Sequence, residues 1–395
     1  MGKKYLRTTF LIAATVLAGL LSSVNAQGRV DSLIQRGQFL SAFECLKHCD
    51  DQPDCVLKKV DLALNYHLTS HYHQRFSFVN LRSGESLDQL RRQEPLLPAT
   101  IIFQVDSVLL KMQQLHPADF RITKALGDFY TRVYHDFGDR WGEGSEVLLE
   151  KSNHYYRKAF ENGVYDFYSL YSLGYYQSIL QNYYAAQQWF LMSLDRKPDE
   201  ALTNYSLAVT YLFDGLPQKG IEYAVRAYEL YADSLERSDA ARISGVLYLK
   251  TKQPERAECY FEYANRLQPN YRPNELYLLN AKLKLNKDSV SGVLAYDLLL
   301  GAPYTPTLPD ELNSIFVSVG KPDLLLTVYK QVLVACADDA EACGNLYFHY
   351  GKLLYKNGRR ARARRMIKKA RNYFQEVFDP CHQAFQAIDE SLKHL

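Results

Sequence analysis

The sequence predicts an all-α protein built from stacked helical hairpins, and three observations support this prediction. Apolar residues recur at helical spacing along most of the 395-residue chain, without a sustained alternation of apolar and polar residues. The same columns of small and large residues return at intervals of about 34 residues. Apolar residues make up 47% of the chain and charged residues 23%, a composition that excludes disorder as its main state.

The segment 1–26 has the pattern of a cleavable export signal. Lys3, Lys4 and Arg7 precede an apolar run over 10–21, and small residues ending at Ala26 follow. The run is shorter than the roughly 20 residues that span a bilayer. We therefore predict cleavage after Ala26 and export to the periplasm or the medium. No second run is long enough to span a membrane, so no transmembrane helix is expected in the mature chain.

Residues 27–117 are expected to form a helical region with degenerate repeats, interrupted near Pro95. His67 and His71 would lie one turn apart on a helix and are weak candidates for a metal site. Because the histidine and cysteine spacing does not match a zinc motif, we predict no metal.

Seven cysteines in an exported chain favour disulfides. Two pairs each bracket a short polar segment between predicted helices, so that a disulfide would tie two helix ends together. We expect one link between Cys49 and Cys55 and another between Cys336 and Cys343.

Residues 118–378 contain the clearest repeats. Consecutive units cover 167–200, 201–237 and 238–271, and a further unit covers 344–378. Three kinds of residue recur in these units: small residues that permit close helix approach, large residues that fill the space between helices, and prolines that end helices. Unit by unit they include Gly174, Phe190 and Pro198; Ala208, Tyr211 and Ala224; Gly245, Phe261 and Pro269; and Gly351, Ala363 and Ile367. Weaker units at 120–166, 273–305 and 306–343 complete the array.

These columns resemble the pattern W-x2-L-G-x2-Y…A-x3-F…P of the tetratricopeptide repeat (TPR) family. The resemblance implies a right-handed α-solenoid of about 8–9 hairpins, degenerate at its N-terminal end, with a helical cap at 379–395. It also implies a concave groove lined by the first helix of each repeat. The function implied is that of a non-enzymatic protein-interaction scaffold without a cofactor, here in an exported bacterial envelope protein.

Carrying the groove-facing columns of the family onto this chain gives six groove residues: Tyr168, Tyr171, Tyr175, Tyr205, Phe213 and Arg242. Tyrosine offers rigid contact area with a polar tip, which suits a recognition surface. TPR domains that hold acidic C-terminal peptides carry Lys, Asn and Arg in these columns. We therefore expect an aromatic-rich or apolar peptide, or a helix of another envelope protein. The alternative for these tyrosines is that they fill the space between repeats.

The segment from Lys356 to Arg371 is strongly basic and contains no acidic residue. Within it, we identify a basic patch composed of Arg359, Arg362, Arg365 and Lys369. The patch is either a solvated helix face or a docking site for an anionic surface. Because we expect the protein to be exported, we do not expect nucleic acid as its partner.

Catalytic signatures such as GxSxG, HExxH, GxGxxG and the P-loop do not occur in the sequence, so we predict no enzyme. Two alternatives remain open. The chain could bind carbohydrate or cell wall by stacking sugars on aromatic residues such as Trp141 and the Tyr cluster. It could also bind a metal, or act as an enzyme, through the Cys- and His-rich region 28–117.

Overall fold

The computed structural model describes residues 28–47, 50–93 and 100–394. The predicted signal over 1–26 and Cys49 lie outside the described residues. The chain divides into two compact units, Met1–Pro198 and Asp199–Leu395. The boundary falls inside the predicted repeat array, and each unit is described separately.

Unit 1 begins with an irregular region and continues with two regular hairpins. Its helices are α1 (28–35), α2 (Phe39–Cys45), α3 (Pro53–Asn65), α4 (Leu87–Arg91), α5 (Val105–Leu115), α6 (Phe120–Asp136), α7 (Ser145–Glu161), α8 (Phe167–Ile179) and α9 (Tyr183–Arg196). Its strands are β1 (Thr69–His71), β2 (Arg75–Ser77) and β3 (Ile101–Ile102), and a 3-10 turn covers Gly138–Arg140.

Unit 2 is helical throughout its described residues. Its helices are α10 (Ala201–Phe213), α11 (Pro217–Leu230), α12 (Ser234–Lys250), α13 (Pro254–Leu267), α14 (Arg272–Lys284), α15 (Asp288–Gly301), α16 (Thr307–Ser318), α17 (Pro322–Ala335), α18 (Ala340–Lys356), α19 (Arg360–Val377) and α20 (Gln383–Lys393).

Consecutive helices pack in pairs, which confirms the predicted all-α, TPR-like class. The pairs are α6/α7 and α8/α9 in unit 1, and α10/α11, α12/α13, α14/α15, α16/α17 and α18/α19 in unit 2. Helix α20 follows the last pair and buries Phe385 and Ile388 with Ile367 and Phe374 of α19.

A glycine on the first helix of several pairs receives a large side chain from the second helix. A Cβ at Gly174 would stand 2.7 Å from the ring of Phe190, and a Cβ at Gly245 would stand 2.5 Å from the ring of Phe261. Both rings are fully buried. The small residue therefore sets how closely the two helices of a pair approach, as the repeat columns predicted.

The region before α5 differs from the predicted helical character. Strands β1, β2 and β3 form an antiparallel sheet in the order β1-β2-β3, with Phe76 opposite both Ser70 and Ile101. Phe76 and Phe78 are buried, and Phe43 of α2 stacks on Phe78 at 4.8 Å. Strands of two or three residues are too short to show an alternating pattern in the sequence, so the prediction of a helix here is wrong.

Across the described part of the chain, no helix combines the length and the apolar character that crossing a membrane requires.

Candidate functional site

The predicted groove residues lie on the first helices of the pairs. In unit 1, the first helices α6 and α8 contact each other. In unit 2, the contacts α10/α12, α12/α14, α14/α16 and α16/α18 join successive first helices. We call the surface formed by these helices, taken separately in each unit, the first-helix face.

On the first-helix face of unit 1, three tyrosines of α8 form a stacked row that we call the tyrosine ladder: Tyr168, Tyr171 and Tyr175. The ring centroids of Tyr168 and Tyr171 are 6.4 Å apart and those of Tyr171 and Tyr175 are 6.2 Å apart, with interplanar angles of 26° and 21°. Spacings of three and four residues place the rings on one side of the helix. Tyr134 of α6 extends the row, because its hydroxyl oxygen lies 3.4 Å from that of Tyr175.

The three members of the ladder differ in burial. Tyr171 is only 6% exposed and packs 5.6 Å from Phe190, so it belongs to the core and supports its neighbours rather than facing a partner. Tyr168 and Tyr175 are half-buried. Burial raises the pKa of Tyr168 to about 12. Burial, followed by the hydrogen bond with Tyr134, also raises the pKa of Tyr175, so both hydroxyls keep their protons at neutral pH.

A charged cleft of about 590 Å³ adjoins the ladder between α3, α6 and α8. At its centre, the Lys124 ammonium lies 2.9 Å from Asp128 and 2.8 Å from Asp166. The hydroxyl of the buried Tyr156 donates to Asp128 at 2.9 Å. The remaining polar lining residues of the cleft are Asp61, Asn65, Arg121, Arg132 and Tyr168.

Lys124 and Asp166 hold each other ionised, whereas burial outweighs Lys124 at Asp128 and raises the pKa of that carboxyl. Burial alone would lower the pKa of Lys124, but the carboxylates of Asp128 and Asp166 outweigh it and raise this pKa. Burial likewise acts to raise the pKa of Asp166, and Lys124 reverses this effect. The cleft therefore presents fixed charges of both signs beside Tyr168. Sequence analysis missed this group, since a lone lysine or aspartate on a helix carries no distinguishing signal.

In unit 2, Asp239 brings two predicted groove residues together. The Tyr205 hydroxyl donates to Asp239 at 3.0 Å, and the Arg242 guanidinium forms an ion pair with the same carboxylate. Tyr205 and Asp239 stand 34 residues apart, at equivalent positions of consecutive repeats. This 34-residue spacing could have identified Asp239 from the sequence, as the residue one repeat after Tyr205. Phe213 lies apart from this group as the last residue of α10, and its side chain is 65% exposed.

Further along the first-helix face of unit 2, Asp310 of α16 lines two cavities. One, of about 860 Å³, lies between α14 and α16, and the other, of about 540 Å³, reaches α18 and α20. Asp310 accepts hydrogen bonds from His349 Nδ1 at 3.1 Å and from Lys352 at 2.6 Å. Burial alone would raise the pKa of Asp310, but these two bonds lower it to about 2. Sequence analysis did not identify these residues.

The basic patch extends from Arg359, the N-cap of α19, to Lys369 in the middle of that helix. Arg359 forms an ion pair with Asp323 of α17 at 2.7 Å. Arg362, Arg365 and Lys369 are exposed, and the Lys369 ammonium lies 5.2 Å from the ring centroid of Tyr347.

The two candidate metal ligands do not share a helix. Helix α3 ends at Asn65, so His67 lies beyond it, and His71 is exposed in strand β1. His67 Nδ1 bonds the Ala63 carbonyl at 2.9 Å, and its ring packs edge-on against His73. The prediction that His67 and His71 stand one turn apart on a helix is therefore wrong. Within the residues that the structure describes, no group of three His, Cys, Asp or Glu side chains could hold a metal ion.

Trp141, considered above as a residue for sugar stacking, packs around the turn between β1 and β2. Its ring centroid lies 6.0 Å from Tyr72, 6.1 Å from Phe129 and 6.1 Å from Phe137. Tyr72 and His73 hold this turn with positive φ angles of 48° and 46°. Trp141 therefore has a structural role, because its ring packs the turn with positive φ angles against α6.

The cysteines that the structure describes are free thiols. Cys343 is buried at the start of α18, and its Sγ donates to the carbonyl oxygen of Cys336 at 3.2 Å. The Cys336–Cys343 disulfide is thus not formed in this structure, and its formation under oxidising conditions stays a prediction. The proposed Cys49–Cys55 link involves a residue outside the described part of the chain.

No protein-family model and no curated protein sequence matches the chain. Among solved structures, it is similar to a TPR protein from Parabacteroides merdae at 16% identity and a TM-score of 0.43, over 68% of this chain and 97% of that one. It is also similar to the C-terminal part of a TPR repeat-containing protein from Cytophaga hutchinsonii, at 12% identity and a TM-score of 0.41, over 71% of this chain and 92% of that one. The TPR protein YrrB, described as having an unusual peptide-binding site, matches at 14% identity and a TM-score of 0.36, over 43% of this chain and 79% of that one.

At these identities and TM-scores, no property of these proteins is transferred to the chain. The helix pairs and the glycine contacts within them define the chain as a helical-repeat protein of TPR-like architecture.

Proposed function

We propose that the chain is a non-enzymatic protein-interaction scaffold that binds a peptide or a helix on its first-helix face. The tyrosine ladder is the observation that carries this proposal. Tyr171 is locked in the core and holds Tyr168 and Tyr175 half-exposed on either side. Rings fixed in this way lose little conformational entropy on binding, which favours them as contact residues.

The charges beside the ladder restrict the chemistry of the partner. Asp166, whose pKa is lowered, would repel the terminal carboxylate of an acidic peptide, and Lys124 is already paired with Asp128 and Asp166. A partner with aromatic or aliphatic anchors for the tyrosines, flanked by charges of both signs, fits this surface better. In unit 2, Tyr205, Asp239 and Arg242 offer a second surface of the same mixed character.

We further propose that the scaffold acts outside the cytoplasm and that its partner is another envelope protein. This proposal rests on the basic, apolar and small-residue segments within 1–26. N-terminal sequencing of the protein from its native host should begin at Gln27. A chain that keeps residues 1–26 and stays membrane-bound would contradict this part of the proposal.

The test of the scaffold function compares the half-buried tyrosines of the ladder with an exposed tyrosine elsewhere in unit 1. A peptide is selected from a displayed library against the wild-type protein, and its Kd is measured for Y168A/Y175A and for Y184A. Tyr184 is 73% exposed on α9, away from the first-helix face, and provides the matched control. We expect at least a tenfold weaker Kd for Y168A/Y175A, as is usual for contact aromatics, and no change for Y184A.

Tyr171 is left intact so that the core is preserved, and circular dichroism should confirm equal helix content in the three proteins. Equal Kd values for all three would contradict the assignment of the ladder. If cell-wall glycans bind through the same tyrosines and no peptide is selected, the scaffold proposal fails and the carbohydrate alternative takes its place.

A further inference from the structure

Helix α19 carries one exposed side on which every charged residue of the first two and a half turns is a cation, and Ala361 is the uncharged exposed residue among them. We call this side the basic face and define it by Arg362, Arg364, Arg365, Lys368 and Lys369, all of which are exposed. The opposite side of the helix buries its apolar residues, namely Ala363, Ile367, Ala370 and Phe374. At about 100° of rotation per residue, the five cations cover an arc of about 160° centred opposite the buried side.

The cations of the basic face have no carboxylate partner among the described residues. Arg359 and Arg371, on either side of the face, do have one, since Arg359 pairs with Asp323 and Arg371 pairs with Asp389. Arg360 instead lies 6.0 Å from the ring centroid of Tyr355. The five cations of the basic face thus stand between two ion-paired arginines and have no such pair themselves. This arrangement argues against the run folding back on acidic neighbours of its own chain.

Several features make the basic face unfavourable in the isolated protein. Like charges stand three or four residues apart in the pairs Arg362/Arg365, Arg364/Lys368 and Arg365/Lys369, which destabilises a helix. The N-terminal end of a helix is also its positive pole, where cations are disfavoured. No side chain caps the start of α19, and its first turn contains no acidic residue. An external anionic partner would relieve all of these repulsions.

We propose that the basic face docks on an anionic lipid surface. A small anion or an acidic peptide with anchoring side chains needs a cleft, whereas these cations spread over a convex helix side. The cavities on the first-helix face contain none of the five residues. Long Lys and Arg side chains can bend towards one plane, so a flat layer of phosphate headgroups can meet all five together. This inference is independent of the proposed peptide-binding function.

The test measures cosedimentation of the purified full-length protein with vesicles. One set of vesicles mixes phosphatidylglycerol with phosphatidylcholine, and the other is pure phosphatidylcholine, which measures any contribution of the apolar N-terminal run. The main variant is R362Q/R365Q/K369Q, which replaces three cations with glutamine, an uncharged residue that is a good helix former. Its control is K219Q/K284Q/K330Q, which removes three exposed lysines elsewhere in unit 2 and changes the net charge equally.

We expect wild type and the control to bind the phosphatidylglycerol vesicles more strongly than the neutral ones. Each cation near an anionic membrane contributes roughly a fivefold factor, so the main variant should partition about 100-fold less. Binding of the wild type should weaken steeply as salt is added, because the screening length falls from about 10 Å at 0.1 M to about 3 Å at 1 M. Because the substitutions remove like-charge repulsion, the main variant should melt no lower than wild type.

Equal partition of the main variant and the control would overturn the proposal, as would equal binding of wild type to neutral and anionic vesicles. A second variant, R364Q/K368Q, repeats the comparison if the first one unfolds. Polyglutamate serves as a probe for the other class of partner. If it binds through the basic face while anionic vesicles do not, the site recognises acidic polypeptides and the lipid proposal is wrong.

Discussion

Replacing Gly245 with alanine should disturb the contact that sets the spacing of α12 and α13. A Cβ at this position would stand 2.5, 2.7 and 2.8 Å from three carbons of the Phe261 ring, closer than real Cβ atoms approach. The ring cannot simply retreat, because Tyr277 of α14 stacks on it with centroids 5.4 Å apart and an interplanar angle of 13°. The two helices must therefore move apart or the ring must leave its rotamer.

The expected magnitude combines two opposing contributions. Overpacking of a core typically costs about 1–3 kcal/mol, and the lack of room behind Phe261 favours the upper end. Alanine regains about 1 kcal/mol over glycine through its higher helix propensity. We therefore expect G245A to lower the free energy of unfolding by about 2 kcal/mol. The matched control is G292A on α15, where the new Cβ would meet only Leu324 Cδ1 at 3.7 Å and should stabilise the helix by about 0.5–1 kcal/mol.

The assay is urea unfolding followed by circular dichroism, together with hydrogen exchange over α12 and α13. Exchange is needed because a chain with two units need not unfold in one transition. Phe261→Leu in the G245A background should recover part of the loss, since a smaller side chain relieves the contact. If G245A is as stable as wild type, or if the loss is the same with Leu at position 261, the close packing of this pair does not determine its stability.

Three further predictions concern titratable groups. Burial, and next the charge of Arg91, lower the pKa of His67 to about 4. The region around His67 should therefore lose up to roughly 3 kcal/mol of stability as the pH falls from 6.5 to 4. In urea unfolding, H67Q should abolish this pH dependence. D310N should destabilise unit 2 at pH 7, and the difference in Tm from wild type should shrink as the pH falls from about 4 to about 2, where wild-type Asp310 also becomes protonated. Oxidation should join Cys336 to Cys343 in nonreducing peptide maps, and C336S should raise the number of titratable thiols in oxidised protein.

The repeat frame was predictable because it depends on short-range rules. A glycine on one helix and a phenylalanine about sixteen residues later must meet when two helices fold back on each other, as Gly174 and Phe190 do. The family columns carried onto this chain place Tyr205 on α10 and Arg242 on α12, both first helices, and their role as groove residues stays a prediction. Asp239 could have been added from its 34-residue offset to Tyr205.

Other features could not be predicted because they depend on contacts between distant segments. Strand β3 pairs with β2 across a long intervening segment, and neither strand is long enough to show a period of its own. The placement of His67 and His71 one turn apart on a helix was wrong because α3 ends at Asn65 and leaves the two histidines on different elements. Tyr168 and Tyr171 look alike in the sequence, but only Tyr171 faces Phe190 and is buried.

The sequence by itself determined the all-α class, the order of the helix pairs and the cationic run of α19, since helical periodicity and charge are properties of neighbouring residues. Only the tertiary structure decided which tyrosines are exposed, which charges are paired and which are left without a partner. Burial and ion pairing depend on side chains brought together from other helices, such as Asp323 beside Arg359 and Asp239 beside Tyr205. For that reason, the candidate surfaces of this protein follow from its packing rather than from its composition.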